Sequence, residues 1–257
     1  MSKSEMTFIE HLEELRWHII RSLVAILVFT GVAFVFKTFI FDTIYLGPSK
    51  PAFITNKALC HIGVCINKEV IHLQNLQMSG QFMTHIKISI LAGLIIAFPY
   101  IIFELWRFIR PALYDKEQRI TRHAVFFISL LFILGVLFGY YIICPLSINF
   151  LVNYHVAESV ANQIKLKSYI STVSSIVFSS GLLFQLPIVV LVLSKIGIVT
   201  PKVLKKYRRH ALVIILFVSA VITPPDVFSQ ILVSIPVLIL YEISIIISRR
   251  IVKNQKV

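Results

Sequence analysis

From Ala124 to Cys144 the chain runs for 21 residues without a single charged side chain. A helix climbs about 1.5 Å per residue, so a run of this length matches the ~30 Å hydrocarbon core of a bilayer. Comparable runs extend over Trp17 to Phe36, Ile88 to Phe103 and Tyr169 to Ser194. Arg21 stands one turn inside the first run, where it can snorkel to the interface, and Pro187 interrupts the last. Inside hydrocarbon every backbone N–H and C=O must be satisfied within its own segment, which leaves helices as the economical solution for runs of this kind. Composition agrees: 57% of residues are apolar and 14% charged, against about a quarter charged in soluble domains.

Two shorter runs follow, Ala211 to Ile222 with 12 uncharged residues and Val227 to Tyr241 with 15, joined by Thr223-Pro224-Pro225-Asp226. Each is roughly 20 Å long, too short to span alone without thinning the bilayer or being sheltered by the rest of the bundle. Their turn then lies at a shallow level. The reading is an all-α integral membrane protein, one membrane domain over residues 1–257. It has six transmembrane helices near 17–36, 86–106, 123–144, 169–194, 210–223 and 227–247, the last two short.

Orientation follows from the basic residues. Of the 25 Lys and Arg, 17 fall in residues 1–16, 107–122, 195–209 and the C-terminal tail. Six fall in the alternate loops: Lys37, Lys50, Lys57, Lys68, Lys165 and Lys167. Positive charge is retained in the cytoplasm, so both termini are expected there. The net charge of +13 comes in bursts between apolar runs and not as a stripe, which argues against a nucleic-acid partner. The acidic, amphipathic N-terminus does not resemble a cleavable signal peptide. No internal repeat is visible, which disfavours inverted-repeat transporters.

Thr7-Phe8-Ile9-Glu10 reads as a capping box, starting a helix near Phe8 that runs on into the first span. Phe8, Leu12, Leu15 and Ile19 share one apolar face, suited to lipid or neighbouring spans. Ordinary helix-surface pairs are expected between Glu13 and Arg16 and between Glu14 and His18. In the first inner loop Arg107 is placed to pair with Glu104, and Pro111 to open a short helix. In the first outer loop, Cys60 and Cys65 form a candidate disulfide, with a metal site using His61 and His72 or two free thiols as alternatives. Cys144 reads as a packing residue.

HLEELR at His11–Arg16, FIRPALYDKEQR at Phe108–Arg119, FQLP at Phe184–Pro187 and TPPDVFSQ at Thr223–Gln230 together resemble the TatC family. Its members are six-span receptor subunits of the twin-arginine protein translocase. The resemblance covers nearly the whole chain in order and spacing, the first outer loop excepted. It implies that Glu14 and Glu117 recognise the twin-arginine signal peptide, with Arg16 and Phe108 on the same cytoplasmic surface. It also implies that Asp226 and Gln230 belong to the motif at the outer turn, with translocation and partner contacts. The chemistry is apt, because guanidinium and carboxylate meet in a charge-assisted fork that lysine cannot reproduce. Gln185 departs from the family, many of whose members carry a glutamate there; it cannot take up a proton but can hydrogen-bond a partner helix.

The expected function is a twin-arginine signal-peptide receptor and core subunit of a proton-gradient-driven translocase for folded proteins, in the bacterial inner membrane. Expected partners are single-span TatA/TatB-type subunits, signal peptides, lipid and further copies of the chain within a complex. No enzyme activity, cofactor or metal is expected. A proton-linked small-solute carrier or channel is the alternative, disfavoured by the want of a clear midplane Asp, Glu, Lys or His. A haem-binding reading would need His123 and His210 as its same-depth pair, with His85 on the other side.

Overall fold

Helix α1, Phe8–Val35, runs unbroken for 28 residues, about 42 Å. The computed structural model describes residues 8–63, 65–66, 71–109, 115–157, 159, 162–222 and 227–254. Thr7, Pro111 and the Thr223–Asp226 turn lie outside the described residues. Further helices are α2 (Ile54–His61), α3 (Gly80–Ile109), α4 (Asp115–Phe138), α5 (Cys144–Asn153), α6 (Leu166–Leu183), α7 (Leu186–Lys195), α8 (Pro201–Lys206), α9 (Arg208–Ile222) and α10 (Val227–Asn254). Among the described residues, five helical stretches are long and apolar enough to cross a membrane: His11–Val35, Gly80–Ile109, Ala124–Asn153, Leu166–Ser194 and Gln230–Arg250. Helix α9, the other half of the expected hairpin, has 15 residues and a length of about 22 Å.

The chain forms two compact units, Met1–Lys37 with His85–Leu130, and Thr38–Thr84 with Leu131–Val257. In the first, α1 and α3 approach closely at Gly93. A Cβ there would meet the Thr30 backbone, 2.6 Å from its nitrogen and 2.9 Å from its Cα. In the second, α4 and α6 cross at Gly135 and Gly181, where added Cβ atoms would strike the Ser180 carbonyl at 2.6 Å and the Phe132 ring at 2.7 Å. Small residues let helix backbones meet when lipid supplies no hydrophobic drive for association. Accordingly the buried polar set is mostly serine, including Ser89, Ser180, Ser194, Ser244 and Ser248, while Leu27, Val28, Val35 and Phe217 are exposed. Ser89 and Ser244 bond the carbonyls of His85 and Leu240, four residues back on their own helices.

Two expected boundaries move, and the expected interruption of the fourth span is located. The third span passes Cys144 to Asn153, because a π-helical turn at Gly139–Ile143 leads into α5 with Pro145 in its first turn, where no N–H is required. The fourth span is broken at Phe184–Gln185, and Pro187 opens α7. The final helix is not short. It has 28 residues and extends to Asn254, beyond the expected 247, and Arg208 of α9 meets its Glu242 at 2.5 Å. The basic loop before α9 also holds a helix that the sequence reading lacked: Thr200 caps α8 by accepting from the Val203 N–H, with Pro201 in its first turn.

The first outer loop is built, not loose. A π-helical turn at Phe39–Tyr45, a 3₁₀ turn at Gly47–Ser49 and α2 fold against the ends of α4 and α6. Tyr140 donates to the Ile44 carbonyl at 2.8 Å and Tyr169 to the Tyr45 carbonyl at 2.8 Å. The Tyr45 hydroxyl meets Ser174 at 3.0 Å, and burial pushes its pKa up to about 12, so it remains a neutral hydrogen-bonding group. Buried Asn56 ties α2 down by donating to the Pro48 and Lys50 carbonyls. A two-residue parallel bridge pairs Leu73 with Ile164 and Gln74 with Lys165, joining the two outer loops.

Candidate functional site

The residues of the HLEELR motif divide by helical angle. His11, Glu14, His18 and Arg21 recur at spacings of three, four and three, so they line one stripe of α1. That stripe, not the apolar face that carries Leu12 and Ile19, is the one that meets α3. Leu12 and Ile19 are about half exposed, as befits a lipid-facing surface, whereas polar groups at membrane depth need protein partners.

On α3 the partners are Tyr100, Glu104 and Phe108, one turn apart. Phe108 stacks on His11 with ring centroids 4.4 Å apart and presents its edge to His18 at 6.0 Å. Glu104 is 2% exposed. His18 Nδ1 donates to Glu104 Oε2 at 2.5 Å, the Arg21 guanidinium lies 3.9 Å from the same oxygen, and the Tyr100 hydroxyl donates to this carboxylate as well. Among the described residues the expected Arg107–Glu104 pair is therefore absent: Glu104 faces α1, while Arg107 is exposed. Likewise His18 is taken by Glu104 and does not pair with Glu14, and Glu13 and Arg16 form no ion pair among the described residues.

The expected recognition residues are distributed as follows. Glu14 is half-buried, and the histidines three residues before it and four residues after it both touch Phe108. Glu14 and Phe108 thus belong to one patch. Arg16 is exposed, about 200° round the helix from Glu14, and is not in this contact. Glu117 falls in the first turn of α4, and its side chain lies outside the described residues. The sequence reading missed His18, Glu104 and Tyr100; the signal was present in two helices carrying polar residues at three- and four-residue spacing.

At the other end of the motif series, Gln230 donates to the Leu216 carbonyl at 3.0 Å and so fastens α10 to α9. Asp226 lies outside the described residues. Gln185, half-buried, stands at the α6–α7 break, where its carbonyl accepts from the Ile188 and Val189 N–H groups. Cys60 and Cys65 are joined as a disulfide, with Cα atoms 4.0 Å apart at the end of α2. Among the described residues no three of His, Cys, Asp and Glu converge as a metal site. Cys144 is fully buried beside the Val173 carbonyl.

Comparison with known proteins matches residues 10–236 to the family model described as Sec-independent protein translocase protein (TatC). The TatC of Blattabacterium from Periplaneta americana is 40% identical over 255 residues, covering 96% of each chain. The TatC of Aquifex aeolicus is 36% identical over 252 residues, covering 98% of each. A solved structure titled as the twin arginine translocase receptor TatC superposes with a TM-score of 0.74 at 36% identity, over 95% of this chain and 100% of that one. A second, of the same receptor in DDM, gives a TM-score of 0.75 at 37% identity, over 93% and 99%. With apolar helices able to span a membrane and these relatives along its length, the chain is a multi-pass inner-membrane component of protein transport and belongs to the TatC family.

Proposed function

We propose that this chain is the receptor that reads twin-arginine signal peptides of folded proteins at the cytoplasmic face. Glu14 and Glu117 take the two guanidinium groups, and Phe108 and Arg16 complete the surface. The observation that carries the proposal is the patch on α1 and α3, where Glu14 lies between two histidines that both hold the Phe108 ring. A carboxylate beside an aromatic ring offers an arginine both a charge-assisted fork and a face to lie against. The dense Lys and Arg of the neighbouring inner loops would repel basic segments that lack this pairing.

In this reading residues 1–257 form one membrane domain with six spans and both termini in the cytoplasm. Asp226 and Gln230 serve transport at the outer turn, and Gln185 meets a partner helix. Single-span TatA/TatB-type subunits and further copies of the chain complete the assembly, the proton gradient drives passage, and the chain itself is no enzyme. Cys60 and Cys65 are oxidised in the outer compartment. The test is photo-crosslinking of the membrane-embedded chain to a twin-arginine peptide and to its twin-lysine counterpart. Selective capture of the arginine form is expected; equal capture of both removes the receptor reading.

A further inference from the structure

We infer that His18 and Glu104 are positioning residues for the signal-peptide surface, acting through the ring of Phe108. This rests on the receptor reading above. Three observations meet at one place. Glu104 is buried and lies one turn before Phe108 on α3, so both point at the same stripe of α1. His18 makes a 2.5 Å hydrogen bond to Glu104 and at the same time an edge contact with Phe108. His11, two turns back on α1, stacks on one face of that ring at 4.4 Å.

The carboxylate therefore fixes the imidazole, and the two imidazoles fix the phenyl ring. An imidazole held only by packing has a free χ2 torsion, whereas a carboxylate on Nδ1 sets both its tautomer and its plane. A second consequence is electrostatic. The Glu104 charge is already answered by His18, Arg21 and Tyr100, so it does not compete with Glu14 for a guanidinium. The site then offers the signal only the carboxylates at its surface.

The experiment uses the full chain with 4-fluorophenylalanine at position 108 and reads the ring by fluorine NMR, without peptide, alongside crosslinking to the twin-arginine peptide. Glu104→Leu and His18→Leu should shift and broaden the fluorine resonance. Each should lower crosslinking about tenfold at an unchanged membrane level. Glu104→Gln, which still accepts from the histidine, should keep the resonance in place and hold crosslinking within about twofold. If the pair acts through the ring, Glu104→Leu combined with Phe108→Ala should bind no worse than Phe108→Ala alone, since coupled residues are non-additive. An unmoved resonance in Glu104→Leu and His18→Leu, or losses that add in the double variant, would overturn the inference. If the resonance responds as expected but the unaltered chain fails to distinguish arginine from lysine, the receptor reading falls and the placement of the ring stands.

Discussion

Replacing Gly93 by alanine adds one methyl group where α1 and α3 touch, and the structure sets the size of the effect. The new Cβ would lie 2.6 Å from the Thr30 nitrogen and 2.9 Å from its Cα, well inside the contact distance of carbon atoms. The Thr30 hydroxyl is nearer still and could rotate away, but these two atoms are backbone and cannot, so the helices must separate. Forcing an extra methyl into a packed contact costs about 1–3 kcal/mol. Against this, alanine is favoured over glycine in a helix by about 0.8–1 kcal/mol. With backbone on the far side of the contact the steric term prevails, leaving a net destabilisation of up to about 2 kcal/mol. Gly31 is the matched control: it also lies within a long helix, but a Cβ there meets nothing within 4 Å. In detergent-purified protein, Gly31→Ala should melt at or above the temperature of the unaltered chain and Gly93→Ala below it. Because His11 and His18 hold Phe108 across the same helix pair, Gly93→Ala should also weaken signal-peptide crosslinking. Equal melting temperatures for the two alanine variants would refute the close approach of α1 and α3.

Reporter domains fused after Lys116, Lys205 and Lys256 should read as cytoplasmic and those after Lys57 and Lys165 as outside; a cytoplasmic signal at Lys57 would reverse the orientation. Non-reduced membrane protein digested for mass analysis should yield the peptide linked through Cys60 and Cys65, whereas complete alkylation of both without reductant would show free thiols. Asp226→Asn should lower transport while leaving peptide crosslinking intact, because recognition is assigned to the opposite face; parallel loss of both would indicate misfolding.

The spans were legible because crossing hydrocarbon demands length and the absence of charge, and both are visible one residue at a time. Less legible was which face of a span packs. The apolar periodicity of α1 singles out Leu12 and Ile19, and in water that would be the buried stripe; both are exposed here. In a bilayer the apolar stripe suits lipid, and the residues that pack are the polar and small ones. His18–Glu104 joins residues 86 positions apart; the polar spacing on each helix marks a packing face but not which residue of the other helix answers it. Local pairing rules pointed instead to Glu14–His18 and Arg107–Glu104. The final helix was expected over 227–247 and extends to Asn254, because the basic residues past its apolar run suit a helix end at the interface and do not themselves stop it. Arg208 answers its Glu242 from the neighbouring helix. Proline was similarly ambiguous: Pro187 opens a new helix, whereas Pro145 sits in a span that a π-helical turn keeps continuous.

The central claim is that Glu14 and Glu117 jointly read the arginine pair, and crosslinking of single and paired alanine variants tests it most directly. Losing one partner of a charge-assisted pair costs about 2–5 kcal/mol when buried and below about 1 kcal/mol when exposed. Half-buried Glu14 is expected between these limits, a loss of roughly tenfold in peptide capture. Glu14→Ala and Glu117→Ala should each weaken capture of the twin-arginine peptide at normal membrane insertion, and the pair together should abolish its preference over the twin-lysine peptide. Glu13→Ala, exposed and one residue away, should bind normally. Loss of capture in Glu13→Ala, with Glu14→Ala and Glu117→Ala binding as the unaltered chain does, would contradict the assignment of the site.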